Sequence, residues 1–305
     1  MSIIARDEAA LEPTEVVLEP GKLWRGLRWD TLRRLPIFPL LVVSLFVIAA
    51  LFGEWLAPVD PYETSLRARL RPPAWMEGGE ARYFLGTDRL GRDNLSRIIV
   101  GATPSFKVAL AALVFGSILG SFIGLVAGYL GGRVDALIMR CADGTMAFPL
   151  ILAALLLAAV IGPGGPTVIL AACIVLWARF ARLIRSEVLS VKERDFVKLA
   201  RIAGASSWRI MFAHILPNVL NSVVVLLTLQ LGFVIILEAT LSFLGAGIPP
   251  PTPTWGQMVA NGRDYLETAW WLSVFPGLAI ALVVLSFNLL GDWLRDYTDP
   301  RLRQI

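Results

Sequence analysis

Six apolar stretches, each long enough to cross a bilayer as a helix, dominate what this chain can fold into. They cover residues 36–57, 105–130, 136–161, 167–184, 219–244 and 270–294. A hydrocarbon core of about 30 Å needs roughly 18–20 helical residues. Inside it no water can satisfy peptide N–H and C=O groups, so an unbroken apolar run takes the helical form, which satisfies them internally. Charged residues make up 17 % of the chain, against about a quarter in soluble domains. The expectation is an all-α integral membrane protein with six transmembrane helices.

The segments between the runs set the organisation. Residues 1–35 are polar and end in Arg25, Arg28, Arg33 and Arg34. They read as a cytoplasmic tail with a short interfacial helix at 23–32, not as a cleavable signal, because the apolar run comes late and is too long. Residues 58–104 form an external segment broken by Pro61, Pro72, Pro73, Gly78 and Gly79. Residues 105–294 form a five-helix core, with a cytoplasmic loop at 186–218 and a cytoplasmic tail at 295–305. Lys and Arg in short loops mark the inner side. With the N-terminus inside, the inner segments carry six before the first run, Arg133 and Arg140, eight from Arg179 to Arg209, and three at the C-terminus. The outer segments carry seven between 58 and 104 and then Arg263. Both termini are therefore expected in the cytoplasm.

Along the second run and just past its end, Ala112, Gly116, Gly120, Gly124, Gly128 and Gly132 recur every four residues, which puts them on one helix face. Little hydrophobic force draws helices together in lipid, so close backbone approach favours association. This face is expected to pack on another helix, of this chain or of a partner. Polar residues assigned to the runs are Asp143, Gln230, Glu238 and Asn288. A charge at mid-membrane costs about 2.5–3.5 kcal/mol on insertion scales. Glu238 is expected to face protein or a water-filled path, with Gln230 beside that path; the alternative is a place near the outer interface. Asp143 is expected to pair at the inner interface close to Arg140. Trp255, Trp270 and Trp271 read as interfacial anchors. Cys141 and Cys173 read as small buried hydrophobes, and His214 as a packing or hydrogen-bonding residue. No metal cluster, nucleophile–base pair or G-x-x-x-x-G-K-[ST] phosphate loop is present in the sequence.

Residues 195–218 read DFVKLARIAGASSWRIMFAHILPN. They suggest a short helix, a bend at Gly204, a second short helix and a stop before Pro217, with Ala200, Ala203 and Ala205 keeping the bend slim. This stretch resembles the "EAA" loop of ABC-importer permeases: Glu-Ala-Ala, three residues, Gly, nine residues, Ile-x-Leu-Pro. Ala200, Gly204, Leu216 and Pro217 fall in register, while Lys198, Leu199 and His214 replace the Glu, the first Ala and the Ile. FLGTDRLGRDNLSRIIVGATPS at 84–105, LSFLGAGIPPPTPTWGQM at 241–258, FPGLAI at 275–280 and FNLLGDWLRDYTDPRLR at 287–303 resemble the dipeptide, oligopeptide and nickel permeases, and among them the second, shorter permease of the pair.

The resemblance implies a type I, MetI-like permease fold in a prokaryotic inner membrane. It implies as partners a homologous second permease, two ATPase subunits that hold ATP and Mg, and an external substrate-binding protein; the chain itself would carry no cofactor and bind no nucleic acid. Lys198, Ala200, Gly204, Ala205, Leu216 and Pro217 would dock an ATPase. The implied cargo is di- or oligopeptides, with nickel chelates, glutathione-like peptides and oligosaccharides as alternatives. A stand-alone secondary transporter would instead be expected to show internal repeats and midplane ionisable groups.

Overall fold

A computed structural model describes residues 36–298. The tail at 1–35, with its expected helix at 23–32, and residues 299–305 lie outside the described residues.

Helix α1 (Ile37–Leu56) is apolar but for Ser44 and Glu54 and buries a narrow stripe that includes Phe46, Ala50 and Gly53. Phe46 meets the rings of Phe106, Trp255 and Phe287 at centroid distances of 6.0, 5.5 and 6.1 Å. The segment that follows folds against α2 (Asn94–Leu130). Asp93 caps α2 by accepting from the Ser96 N–H at 2.8 Å and from Ser96 Oγ at 2.6 Å. Buried Arg97 donates to the Pro61 carbonyl at 3.1 Å, and the Trp271 indole donates to the Thr87 carbonyl at 3.3 Å. Residues 94–104, expected in the external loop, are therefore the opening turns of α2. Pro104 lies inside the helix and does not end it; it removes one ladder bond, and the cap at Asp93 starts the helix well before it.

The third run is not one helix. It divides into α3 (Gly132–Ala147) and α4 (Leu150–Ile161), bent by 85°. Pro149 has no N–H to continue the ladder and disfavours the helical conformation at the residue before it; Phe148 is accordingly extended, with ψ 133°. Then come α5 (Gly165–Val191), α6 (Asp195–Ile202), α7 (Ser207–Phe243), α8 (Trp255–Gly262) and α9 (Trp271–Thr298). Helices α1, α2, α5, α7 and α9 are each long and apolar enough to span, and the bent α3–α4 pair makes a sixth span if it counts as one.

The core is built on the α2–α5 pair. Gly116, Gly120, Gly124 and Gly128 all face α5. A Cβ on Gly120 would lie 2.9 Å from Trp177 Cα, one on Gly124 2.8 Å from Ala181 Cα, and one on Gly128 2.8 Å from Val188 Cβ. The small-residue face is thus a contact within the chain. Gly132 is not part of it: it opens α3 with φ +57° and has open space around it. Helix α7 closes the core against α2, α5 and α9.

Three other expectations are corrected. Trp255 and Trp271 are buried, 3 % and 4 % exposed, and Trp255 donates to the Ile98 carbonyl at 2.8 Å; these indoles pack inside the fold, against the start of α2 and the segment before it. Asp143 pairs with Arg182, not Arg140, because the turn after α2 lays α3 along α5. Cys141 is exposed, and only Cys173 is partly buried.

Candidate functional site

Two regions bring sequence-predicted residues together. The first is the segment joining α5 to α7. Helix α6 turns Val197 into the core and leaves Lys198 exposed. It ends in a tight reversal: the Gly204 N–H bonds to the Arg201 carbonyl at 3.1 Å and the Ala205 N–H to the Ala200 carbonyl at 3.0 Å. Gly204 has φ +80°, a left-handed conformation that glycine adopts without the Cβ penalty. Nothing lies within 4 Å of where its Cβ would be. The bend is therefore held by its own backbone and faces open space.

Ser206 caps the next helix, which continues without a stop. Residues Ile210–Ile215 are π-helical, and the Leu216 N–H reaches back to the Met211 carbonyl. Wider π spacing lets Pro217 enter α7 where an α-helical ladder would meet its ring. The expected stop before Pro217 is thus a continuous junction. Trp208 stacks on Phe212 at 5.8 Å and on Phe122 of α2 at 6.5 Å, tying the start of α7 to α2. Sequence reasoning missed the apolar residues on the outer side of this segment: Ile202 is 83 % exposed, Leu199 64 % and Trp208 58 %. Their signal was an apolar pair three residues apart, on the opposite side of α6 from Val197.

The second region lies along α7. Glu238 is 1 % exposed. Its Oε2 accepts from Ser105 Oγ of α2 at 2.8 Å, and its Oε1 from Ser242 Oγ one turn on at 2.7 Å. In this conformation the carboxyl group is enclosed by protein, with both oxygens satisfied. Gln230, also buried, accepts through Oε1 from Arg179 Nη1 of α5 at 2.8 Å. The Arg179 guanidinium lies over the Phe233 ring, 4.1 Å from its centroid. Gln230 and Glu238 share a helix but not a cluster. Arg179 was grouped by sequence with the cytoplasmic charges, yet it sits about 21 Å along α5 from Gly165 at 1.5 Å per residue, well inside the span. Further along α5, Arg185 pairs with Asp135 of α3 at 2.6 Å, and Lys192 Nζ donates to the Gly128 carbonyl at 2.9 Å.

Known proteins align with this architecture. The family described as binding-protein-dependent transport system inner membrane component matches residues 116–304, and the N-terminal TM domain of oligopeptide transport permease C matches residues 29–73. The di/tripeptide transport system permease protein DppC of Pseudomonas aeruginosa is 46 % identical over 264 residues, covering 87 % of each chain. The dipeptide transport system permease protein DppC of Escherichia coli is 45 % identical over 263 residues, covering 86 % of this chain and 87 % of that one. The probable D,D-dipeptide transport system permease protein DdpC of Escherichia coli is 40 % identical, covering 85 % of each. An inward-facing structure of the MetNI methionine ABC transporter shares the fold, with TM-score 0.55, 16 % identity, and coverage of 67 % of this chain and 98 % of that one. With the α2–α5 core, the bend at Gly204 and these matches in place, the chain belongs to the binding-protein-dependent inner-membrane permeases, in the dipeptide and oligopeptide branch of the ABC importers.

Proposed function

We propose that this permease forms, with a homologous second permease, the translocation path for di- or oligopeptides delivered by an external substrate-binding protein. Both termini lie in the cytoplasm of a prokaryotic cell, and ATP and Mg are held by two partner ATPase subunits. The observation that carries the reading is the exposed apolar surface of Leu199, Ile202 and Trp208 on a bend that joins two spanning helices. Apolar groups at the end of a membrane domain, uncovered by the chain itself, fit a protein partner better than water.

The mechanics follow from connectivity. Helix α6 is joined to α5 by the short turn at 192–194 and to α7 by the bend at 203–206. A displacement of α6 by closing ATPases acts on both spanning helices at once. ATP shifts the permease between inward- and outward-open states only as far as the ATPases bind nucleotide more tightly in one of them. Peptides are favoured over nickel chelates or oligosaccharides because relatives 46 % and 45 % identical are named for di/tripeptide and dipeptide transport.

The test is reconstitution of the complete complex in proteoliposomes, with uptake of a labelled dipeptide in the presence of its loaded binding protein. Uptake that requires ATP on the cytoplasmic side is expected. Uptake that proceeds with this chain alone and without ATP would place it among stand-alone transporters.

A further inference from the structure

Arg179 carries a positive charge in the middle of a spanning helix, and no carboxylate answers it among the described residues. The contrast along α5 is direct. Arg182 pairs with Asp143 and Arg185 with Asp135, both on α3. Arg179 instead is met by two neutral groups of α7: the carbonyl oxygen of the Gln230 amide and the face of the Phe233 ring, whose centroid is 4.1 Å from the guanidinium carbon. Its remaining guanidinium N–H groups have no partner among the described residues, and the residue is only half-buried.

These contacts orient more than they neutralise. A cation over an aromatic face is drawn to the ring, and one hydrogen bond to Gln230 holds the guanidinium on that side of α7. The free edge remains a fork of donors whose geometry matches a carboxylate bidentately. A charged residue inside a membrane domain calls for a partner or a pathway, and here the partner present is neutral.

On the reading that this chain lines a peptide path, we propose that Arg179, held by Gln230 and Phe233, receives the C-terminal carboxylate of the peptide in transit. Free di- and tripeptides all carry that group whatever their side chains, so one arginine serves cargoes of varied sequence. A single neutral hydrogen bond to Gln230 leaves the full charge available, where an ion pair would cancel it.

The test uses the complete complex in proteoliposomes with saturating, peptide-loaded binding protein. Arg179→Gln removes the charge. Gln230→Glu keeps Arg179 but sets a carboxylate against it, filling the site from within and strengthening the α5–α7 contact, so that folding is preserved. Both variants are expected to slow uptake about tenfold or more, the scale of a lost charge-assisted hydrogen bond, while ATPase subunits still co-purify and loaded binding protein still stimulates ATP hydrolysis. Arg179→Lys, which retains the charge, is expected to recover a large part of the rate. Wild-type uptake by Gln230→Glu would overturn the proposal. So would equal loss in Arg179→Lys and Arg179→Gln, which marks packing and not charge, or loss of the second permease from both neutralised complexes, which marks a subunit contact. A wild-type complex that moves no peptide would instead overturn the functional reading on which this one rests.

Discussion

Ser105 of α2 donates a 2.8 Å hydrogen bond to Glu238 of α7, joining residues far apart in sequence inside a site from which solvent is excluded. Ser242 holds the other carboxyl oxygen at 2.7 Å. A buried acceptor left without its donor costs about 1–3 kcal/mol. Ser105→Ala is therefore expected to lower the thermal stability of the detergent-solubilised complex, and Glu238→Ala to lower it further, since it also opens a cavity. Glu238→Gln preserves shape and one acceptor. It is expected to leave the complex assembled while changing uptake or its coupling to ATP hydrolysis. Unchanged uptake across substrate concentrations would reduce Glu238 to a clasp between two helices.

Gly120 and Gly124 place α2 against the backbone of α5, with room for nothing larger than hydrogen. Gly120→Leu and Gly124→Leu are expected to abolish folding or assembly, because the atoms in the way are main chain and cannot swing aside. Leu119→Ala, on the exposed face of the same helix, is expected to cost less than about 1 kcal/mol. Size-exclusion profiles of the purified complexes separate the two classes, and normal assembly of both leucine variants would remove the packing role.

At the bend, Gly204→Val meets no neighbour but must adopt a left-handed backbone, at a cost of roughly 1–2 kcal/mol. The bend is expected to distort, weakening ATPase attachment or leaving hydrolysis without transport. Ile202→Glu is expected to weaken co-purification of the ATPase through charge placed on the exposed side of α6, with the permease fold intact; Ala205→Glu is expected to do likewise and, because Ala205 is half-buried against the core, to strain the bend as well. Lys198→Glu restores the residue usual in this loop and is expected to be tolerated. Full attachment and transport in Gly204→Val and Ile202→Glu together would make the segment a plain connector.

The topology is open to a chemical check. In a background lacking Cys141 and Cys173, single cysteines at Gly164 and Arg295 are expected to react with membrane-impermeant reagents from opposite sides. Labelling of both from one side would break the six-span reading.

How far the sequence spoke for itself depends on which force decided each feature. Run length and hydropathy located the spans, because the bilayer imposes them. The glycine spacing announced a packing face for the same reason that only small residues permit backbone contact. Proline was ambiguous: Pro104 and Pro217 sit inside helices while Pro149 breaks one. The difference lies in what surrounds them, a π-helical stretch before Pro217 and an extended Phe148 before Pro149. Trp255 and Trp271 look the same in sequence as lipid-facing anchors, and only the carbonyls of Ile98 and Thr87 distinguish them. Arg179 was hidden by its neighbours, since a run of arginines at a helix end reads as a cytoplasmic border even when its first member lies well inside.

The seam between α2 and α5 also governs what can move. With backbone on backbone at Gly120 and Gly124, and Lys192 fastened to the Gly128 carbonyl, the pair has little side-chain layer there to yield and is expected to move as one stiff lever. A push at the Lys192 end is then expected to reach Asn94, where Asp93, Arg97 and Trp271 tie the segment before α2 to the helix. That segment is then expected to swing with the lever, so that the two ends of the seam move together. Spin labels at Glu77 and Glu193 should keep a constant separation in every nucleotide state, and a change between states would locate a hinge within the seam.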